Sequence, residues 1–179
     1  MKEDIVRIAK AIDFAARAHT PQRRKGEAEE PYVNHLAEVA LLVAEATQGA
    51  DANMVIAAYL HDTIEDQEVK HKTLVAEFGR DVADLVREVT DDKTLPKGER
   101  KRLQIEHARS ATPRAKHLKL ADKISNLNSI LASPPTDWNA ERKCEYFDWA
   151  AKVVAGCRGV NPWLEARFDA AYARRDELG

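Results

Sequence analysis

Cysteine is scarce in this chain of 179 residues. Cys144 and Cys157 are the only two, and they form no CxxC pair. That argues against a disulfide framework or a thiolate zinc site and fits a reducing compartment. Long apolar runs are missing as well. The longest, such as VALLVA, reach about six residues, whereas a membrane-spanning helix needs about 20. The opening stretch MKEDIVRIAK does not read as a signal peptide, so the expected location is the cytoplasm and no membrane partner is expected. Charge of one sign is not in excess: 28 Lys and Arg face 30 Asp and Glu, a net of −2. A chain so near neutral is not built for bulk attraction to nucleic acid, and charge-based recognition has to come from local clusters. Strand-length alternation, internal repeats and low-complexity tracts are also lacking. What is present is 44% hydrophobic residues, enough for one core, in a length that suggests a single domain over residues 1–179.

The apolar positions recur at helical spacing. Ile5, Ile8, Ala9, Ile12, Ala15 and Ala16 predict an amphipathic helix ending near His19, before Pro21. Residues 20–31, TPQRRKGEAEEP, read as a polar loop. Leu36, Val39, Ala40 and Val43 begin a second helix that carries His35, and Asp51 is a good N-cap for a third. That third helix, with VIAAYL, is apolar all round and so central, and His61-Asp62 lies at its C-terminal end. Short helices follow, one closed by Gly79 and the next carrying Val82, Leu85, Val86 and Val89. A second basic loop, TDDKTLPKGERKR, leads into a helix over roughly 98–110. Thr112-Pro113 opens a long helix stopped by Pro134-Pro135, another runs from about Asp137 to Ala155, and Asn161-Pro162 opens the last. The expected class is all-α, a helical bundle.

Chemistry concentrates in AAYLHDTIED, residues 57–66. An HD dipeptide by itself is weak, because an exposed helix end decorated with polar groups explains it as well. Its surroundings add weight. His35 sits on another helix beside the stripe of Leu36, Val39 and Val43, and Asp122 sits within KLADKISNL, an otherwise mostly apolar face. A carboxylate there is costly unless paired or bound to metal. His35, His61, Asp62 and Asp122 make a nitrogen and oxygen set without sulfur, which favours Mn²⁺, Fe²⁺ or Mg²⁺ over structural zinc. An ion so held can make water a hydrolytic nucleophile.

The segments FAARAHTPQRRKGE, PYVNH, HDTIED, FGRDVADLVREVTDDKTLPKGERKR, AKHLKLADKISNL and EYFDWAAKVV follow in order from about residue 14 to 155. In these the chain resembles the HD-domain phosphohydrolases, and within them the stand-alone small alarmone hydrolases of the metazoan SpoT-homologue type, similar to the hydrolase half of Rel/SpoT enzymes. The H…HD…D pattern falls on His35, His61, Asp62 and Asp122. One departure is Leu36, where the family usually has proline; it alters a helix start and not a ligand.

The resemblance implies removal of the 3′-pyrophosphate from guanosine 3′,5′-bispyrophosphate (ppGpp, or its pentaphosphate form), with Mn²⁺ as cofactor. It implies that Glu65 and Asp66 serve the attacking water, although as loop residues they could simply confer solubility. It assigns Arg24 and Lys25 to the nucleotide, a role to which a stacking, forking guanidinium is suited. Helical spacing puts Lys119, Asp122 and Asn126 on one face, so Asn126 points toward whatever the metal holds, and the resemblance implies that it is a ribose or base contact. Tyr146 is a further nucleotide contact or a core residue beside Phe147 and Trp149. Lys93, Lys97, Arg100, Lys101 and Arg102 form a second basic group whose phosphate contacts the sequence does not distinguish. His19, His71, His107 and His117 read as surface or packing residues. The length leaves no room for a synthetase domain, so hydrolysis alone is expected. The rival substrate is the 2′-phosphate of NADPH or another nucleotide, and the rival class is a nucleotide-sensing module that does not cut. Oligomeric state is left open, a homo-oligomer included.

Overall fold

The structure, a computed structural model, describes residues 2–178. Its elements are helical, in line with the expected class. Helix α1 (Lys2–Ala18) leads through the loop of residues 19–32 to α2 (Val33–Ala46) and α3 (Ala52–Leu60). Helix α3 lies at the centre. Its Met54, Val55, Ile56, Ala57, Ala58 and Leu60 are buried, and α1, α2 and α6 pack around it. Asp51 caps it, accepting from the Met54 amide at 2.9 Å.

A five-residue helix, α4 (Thr63–Gln67), follows the HD pair directly. Periodicity did not predict it, since five residues are too few to show a period. Helices α5 (His71–Phe78) and α6 (Arg80–Val89) meet at Gly79, whose φ of +89° is open to glycine and strained for other residues. Helix α7 (Lys97–Ser110) precedes the long α8 (Pro113–Ala132), whose Thr112 cap accepts from the Ala115 amide. Arg114, in the first turn of α8, binds both Asp51 and Asp81, so α8 is anchored to the starts of α3 and α6.

Helix α9 (Ala140–Ala155) begins about three residues later than the sequence predicted. Asn139 caps it by accepting from the Arg142 amide, while Trp138 closes a turn onto the Pro135 carbonyl. Helix α10 (Pro162–Tyr172) and a 3₁₀ turn (Ala173–Leu178) end the described chain. The loop of residues 19–32 is fastened to the far end of α8. Gly26 bridges Pro135, the Glu27 amide donates to the Pro134 carbonyl at 3.3 Å, and the Ala28 amide donates to Ser133 Oγ at 3.0 Å. Among the described residues no helix is long and apolar enough to cross a membrane.

Candidate metal centre and nucleotide cavity

Three helices bring His35, His61, Asp62 and Asp122 together. His35 projects from the first turn of α2, His61 and Asp62 join the end of α3 to the start of α4, and Asp122 lies midway along α8. Asp62 Oδ2 is 3.1 Å from His61 Nε2 and 3.7 Å from His35 Nε2. Asp122 Oδ1 is 3.3 Å from His35 Nε2 and 3.8 Å from His61 Nε2. Donor atoms of His35, His61 and Asp62 all lie within 4.8 Å of one another, a spacing that can hold a metal ion.

The outer ring nitrogens fix the tautomers. His61 Nδ1 is 2.8 Å from the Ala58 carbonyl, which can only accept, so the proton sits on Nδ1. His35 Nδ1 is 2.8 Å from Ser125 Oγ, and the Ser125 hydroxyl donates to Glu38 Oε2 at 2.6 Å. With that proton committed, Ser125 accepts from His35 Nδ1–H. Asn128 donates to the other Glu38 oxygen at 2.9 Å and holds the carboxylate in place. Both Nε2 lone pairs therefore face the two aspartates, and both nitrogens are buried without a hydrogen-bond partner. Lone pairs turned on carboxylate oxygens repel unless a proton or a cation sits between them, and the donor set fits a divalent cation.

Titration behaviour agrees with that demand for positive charge. Burial works against protonated His61, yet the carboxylates, Asp62 foremost, hold its pKa well above the usual imidazole range. Burial keeps His35 low. Burial would also raise both aspartates, but His61 beside Asp62, and Lys123 beside Asp122, hold them below the usual carboxylate range. Lys123 Nζ sits 2.7 Å from Asp122 Oδ2 and 4.7 Å from the Trp149 ring centre. The Tyr32 hydroxyl donates to Asp62 Oδ2 at 2.7 Å, and its ring stacks on buried His19 at 5.2 Å.

Glu65 and Asp66 project from α4. Glu65 accepts from the Asp91 amide at 3.1 Å and lies 3.7 Å from Arg100. Burial, helped by the charges of Asp62 and Asp91, pushes its carboxyl up to about 7. Asp66 is held by Gln22 Nε2 at 2.7 Å and by an ion pair with Lys93.

A cavity of about 550 Å³ opens beside these acids, and Arg24, Lys25, Asn126 and Tyr146 all line it. Arg24 donates to Asn126 Oδ1 at 3.0 Å and lies over the Tyr32 ring, 5.6 Å from its centre. Asn126 Nδ2 in turn donates to Asp122 Oδ1 at 2.7 Å. Tyr146 stands between Trp138 and Trp149, at 5.6 and 5.2 Å. Of the second basic group, Lys93, Lys97, Arg100 and Lys101 line the cavity, while Arg102 turns away to pair with Glu99 and Glu106. An inner cavity of about 300 Å³ shares Lys25, Tyr32, Glu65 and Tyr146 with the first and reaches His61, Asp62, Asp122, Lys119 and Lys123. The sequence reading missed Tyr32, Gln22, Ser125, Glu38 and Lys123. Four of them lie inside quoted motifs, Gln22 in FAARAHTPQRRKGE, Tyr32 in PYVNH, and Lys123 and Ser125 in KLADKISNL, and only their contacts reveal what they do.

A family model described as HD domain matches residues 11–147. The guanosine-3′,5′-bis(diphosphate) 3′-pyrophosphohydrolase MESH1 of Xenopus tropicalis is 46% identical over 169 residues, covering 94% of both chains. The Homo sapiens protein of the same name is 44% identical over 175 residues, covering 98% of both. A solved structure described as a metazoan ortholog of SpoT that hydrolyzes ppGpp and plays a role in starvation responses superposes with a TM-score of 0.91. It is 44% identical and covers 94% of this chain and 95% of its own.

Proposed function

This chain belongs to the HD-domain family, and from that premise we propose that it removes the 3′-pyrophosphate of guanosine 3′,5′-bispyrophosphate. The products are GDP and pyrophosphate from ppGpp, and GTP and pyrophosphate from pppGpp. The observation that carries this reading is the pair of partnerless Nε2 atoms facing two aspartates, at the edge of a basic, aromatic-walled cavity.

His35, His61, Asp62 and Asp122 would hold the cation, and Mn²⁺ is the ion we assign to this sulfur-free set. Such an ion, when bound, supplies Lewis acidity to a phosphoryl oxygen and lowers the pKa of water. The chain's own residues do the rest. Glu65 takes the proton that the attacking water gives up, and a carboxyl near 7 is poised for that transfer. Asp66, fixed by Gln22 and Lys93, orients the water. Tyr32 holds Asp62 in place through its hydroxyl. Arg24, Lys25, Asn126 and Tyr146 hold the nucleoside and its 5′-phosphates in the larger cavity. The water oxygen bonds to the phosphorus carried by ribose O3′, the P–O3′ bond breaks, and O3′ takes a proton.

The test is pyrophosphate release from ppGpp by chelator-stripped protein, with and without added Mn²⁺, beside NADPH and simple nucleoside phosphates. Stoichiometric GDP and pyrophosphate only with the ion is the expected result. A higher kcat/KM on NADPH would move the reading to a 2′-phosphatase. Tight nucleotide binding without turnover would make the protein a sensing module.

A further inference from the structure

Lys119 is given no task by the hydrolytic scheme above. It lies on α8 one turn before Asp122 and is only 9% exposed. Among the described residues its ammonium makes no hydrogen bond and no ion pair. An ammonium that bonds to nothing in the protein adds no hydrogen bond to the fold, so stability does not explain its place there. Burial accordingly depresses its pKa, and the neighbouring charge of Lys123 depresses it further.

The inner cavity explains where Lys119 is aimed. Lys119 lines it together with Lys123, Gln104 and Trp149, and the donor cluster's His61, Asp62 and Asp122 line it too, with Glu65. Lys123 is already engaged by Asp122 and by the Trp149 ring. That leaves Lys119, one turn along α8 from Asp122, as the charge lining this space without a side-chain partner. An anion lying along this space would have one end at the donor cluster and the other at Lys119. A single phosphoryl group at the donor cluster has no second end to offer, whereas a pyrophosphoryl group does.

Resting on the reading of the protein as a 3′-pyrophosphohydrolase, we propose that Lys119, backed by Lys123, binds the distal phosphate of the 3′-pyrophosphate and so selects a diphosphate over a monophosphate. When water attacks the phosphorus next to O3′, the pyrophosphate departs with the water oxygen. Both of its phosphates then remain in the inner cavity, with the nucleoside diphosphate in the outer one. Inorganic pyrophosphate is therefore a competitive inhibitor held by Lys119, and orthophosphate is a poorer one.

The experiment compares wild type with Lys119→Met and, as a second neutral replacement, Lys119→Gln, at constant free Mn²⁺. Inhibition of ppGpp hydrolysis by pyrophosphate, orthophosphate and GDP is measured. So is kcat/KM on ppGpp and on guanosine 5′-diphosphate 3′-monophosphate. Loss of a charge-assisted contact should weaken pyrophosphate inhibition roughly tenfold or more and lower kcat/KM on ppGpp by a similar factor. GDP inhibition and turnover of the 3′-monophosphate should be unchanged. Without ligand, Lys119→Met should melt no lower than wild type, because the ammonium it removes bonds to nothing in the free protein. Unaltered pyrophosphate inhibition in both variants, or equal losses on the two substrates, overturns the proposal. A wild-type protein that releases no pyrophosphate from ppGpp overturns instead the functional reading beneath it.

Discussion

Asp62 shows how much one side chain at this site depends on others. Tyr32 donates to the same oxygen that faces both imidazoles, and His35 is steered by Ser125, itself committed to Glu38. Asp62→Ala and Ser125→Ala should each lower bound metal, the first by removing a donor and the second by freeing the His35 ring. A loss of roughly 10–100-fold in metal affinity is expected, read by elemental analysis of the purified variants. Full occupancy with normal turnover would count against the donor set. Glu65 gives a prediction with a definite sign. Its folded pKa is raised from 4.5 to about 7, so the native state holds the proton more tightly than the unfolded chain. The stability this contributes is present below about 4.5 and is lost as pH rises through 7. In metal-free protein Glu65→Gln should therefore raise Tm at pH 8 and leave it nearly unchanged at pH 4, and in protein supplied with Mn²⁺ it should abolish turnover. An identical Tm difference at both pH values would contradict the assigned shift. His35, His61, Asp62 and Asp122 could be read from the sequence because residue type and order carry the chemistry. Ser125 and Glu38 could not, because their partners lie 90 and 87 residues away and a serine in a helix signals nothing by itself. Lys123 was hidden for a different reason. Adjacent helical residues do not normally face each other, yet its long stem curls back onto Asp122.

Among the elements, α8 and the loop of residues 19–32 act together. Helix α8 supplies Lys119, Asp122, Lys123, Ser125 and Asn126, and its far end fastens the loop that carries Arg24 and Lys25. Gly26 is where they touch. A Cβ there would come within 2.2 Å of the Ser133 carbonyl oxygen, which is backbone and cannot step aside. Gly26→Ala should displace the loop, raise KM for ppGpp several-fold and leave metal content intact, as steady-state kinetics beside elemental analysis would report. Normal KM would mean that the loop position does not matter to the nucleotide. The long helices were legible from their stripes and from the Asp51, Thr112 and Asn161 caps. The start of α9 was not, because Asn139, rather than the polar residues before it, satisfies the first-turn amides. The short α4 was not either, although it sets the direction of both acids.

At the scale of the whole molecule, a net charge of −2 conceals a cavity where eight Lys and Arg side chains face three carboxylates. Attraction for a highly anionic nucleotide is thus local and not a property of the overall field. At 0.15 M salt charges are screened over about 8 Å. Raising salt from 0.05 to 0.5 M should lift KM for ppGpp while kcat stays nearly level, and the effect should be smaller for GDP as inhibitor. A salt-independent KM would mean that the aromatic walls carry the binding. The all-helical class followed from periodicity alone, but the meeting of two basic segments with the HD cluster in one hollow is a tertiary outcome that no local pattern encodes. The amide of Asn126 ties the two halves of that hollow together, since its oxygen receives Arg24 and its nitrogen grips Asp122. A guest that draws Arg24 away leaves that oxygen free and resets the grip on Asp122, so nucleotide and cation cannot bind as strangers. Whatever factor the cation adds to nucleotide affinity, the nucleotide must return to the cation in equal measure. With Asn126→Ala that shared factor should shrink toward one, as titrations of each partner in the presence and absence of the other would report.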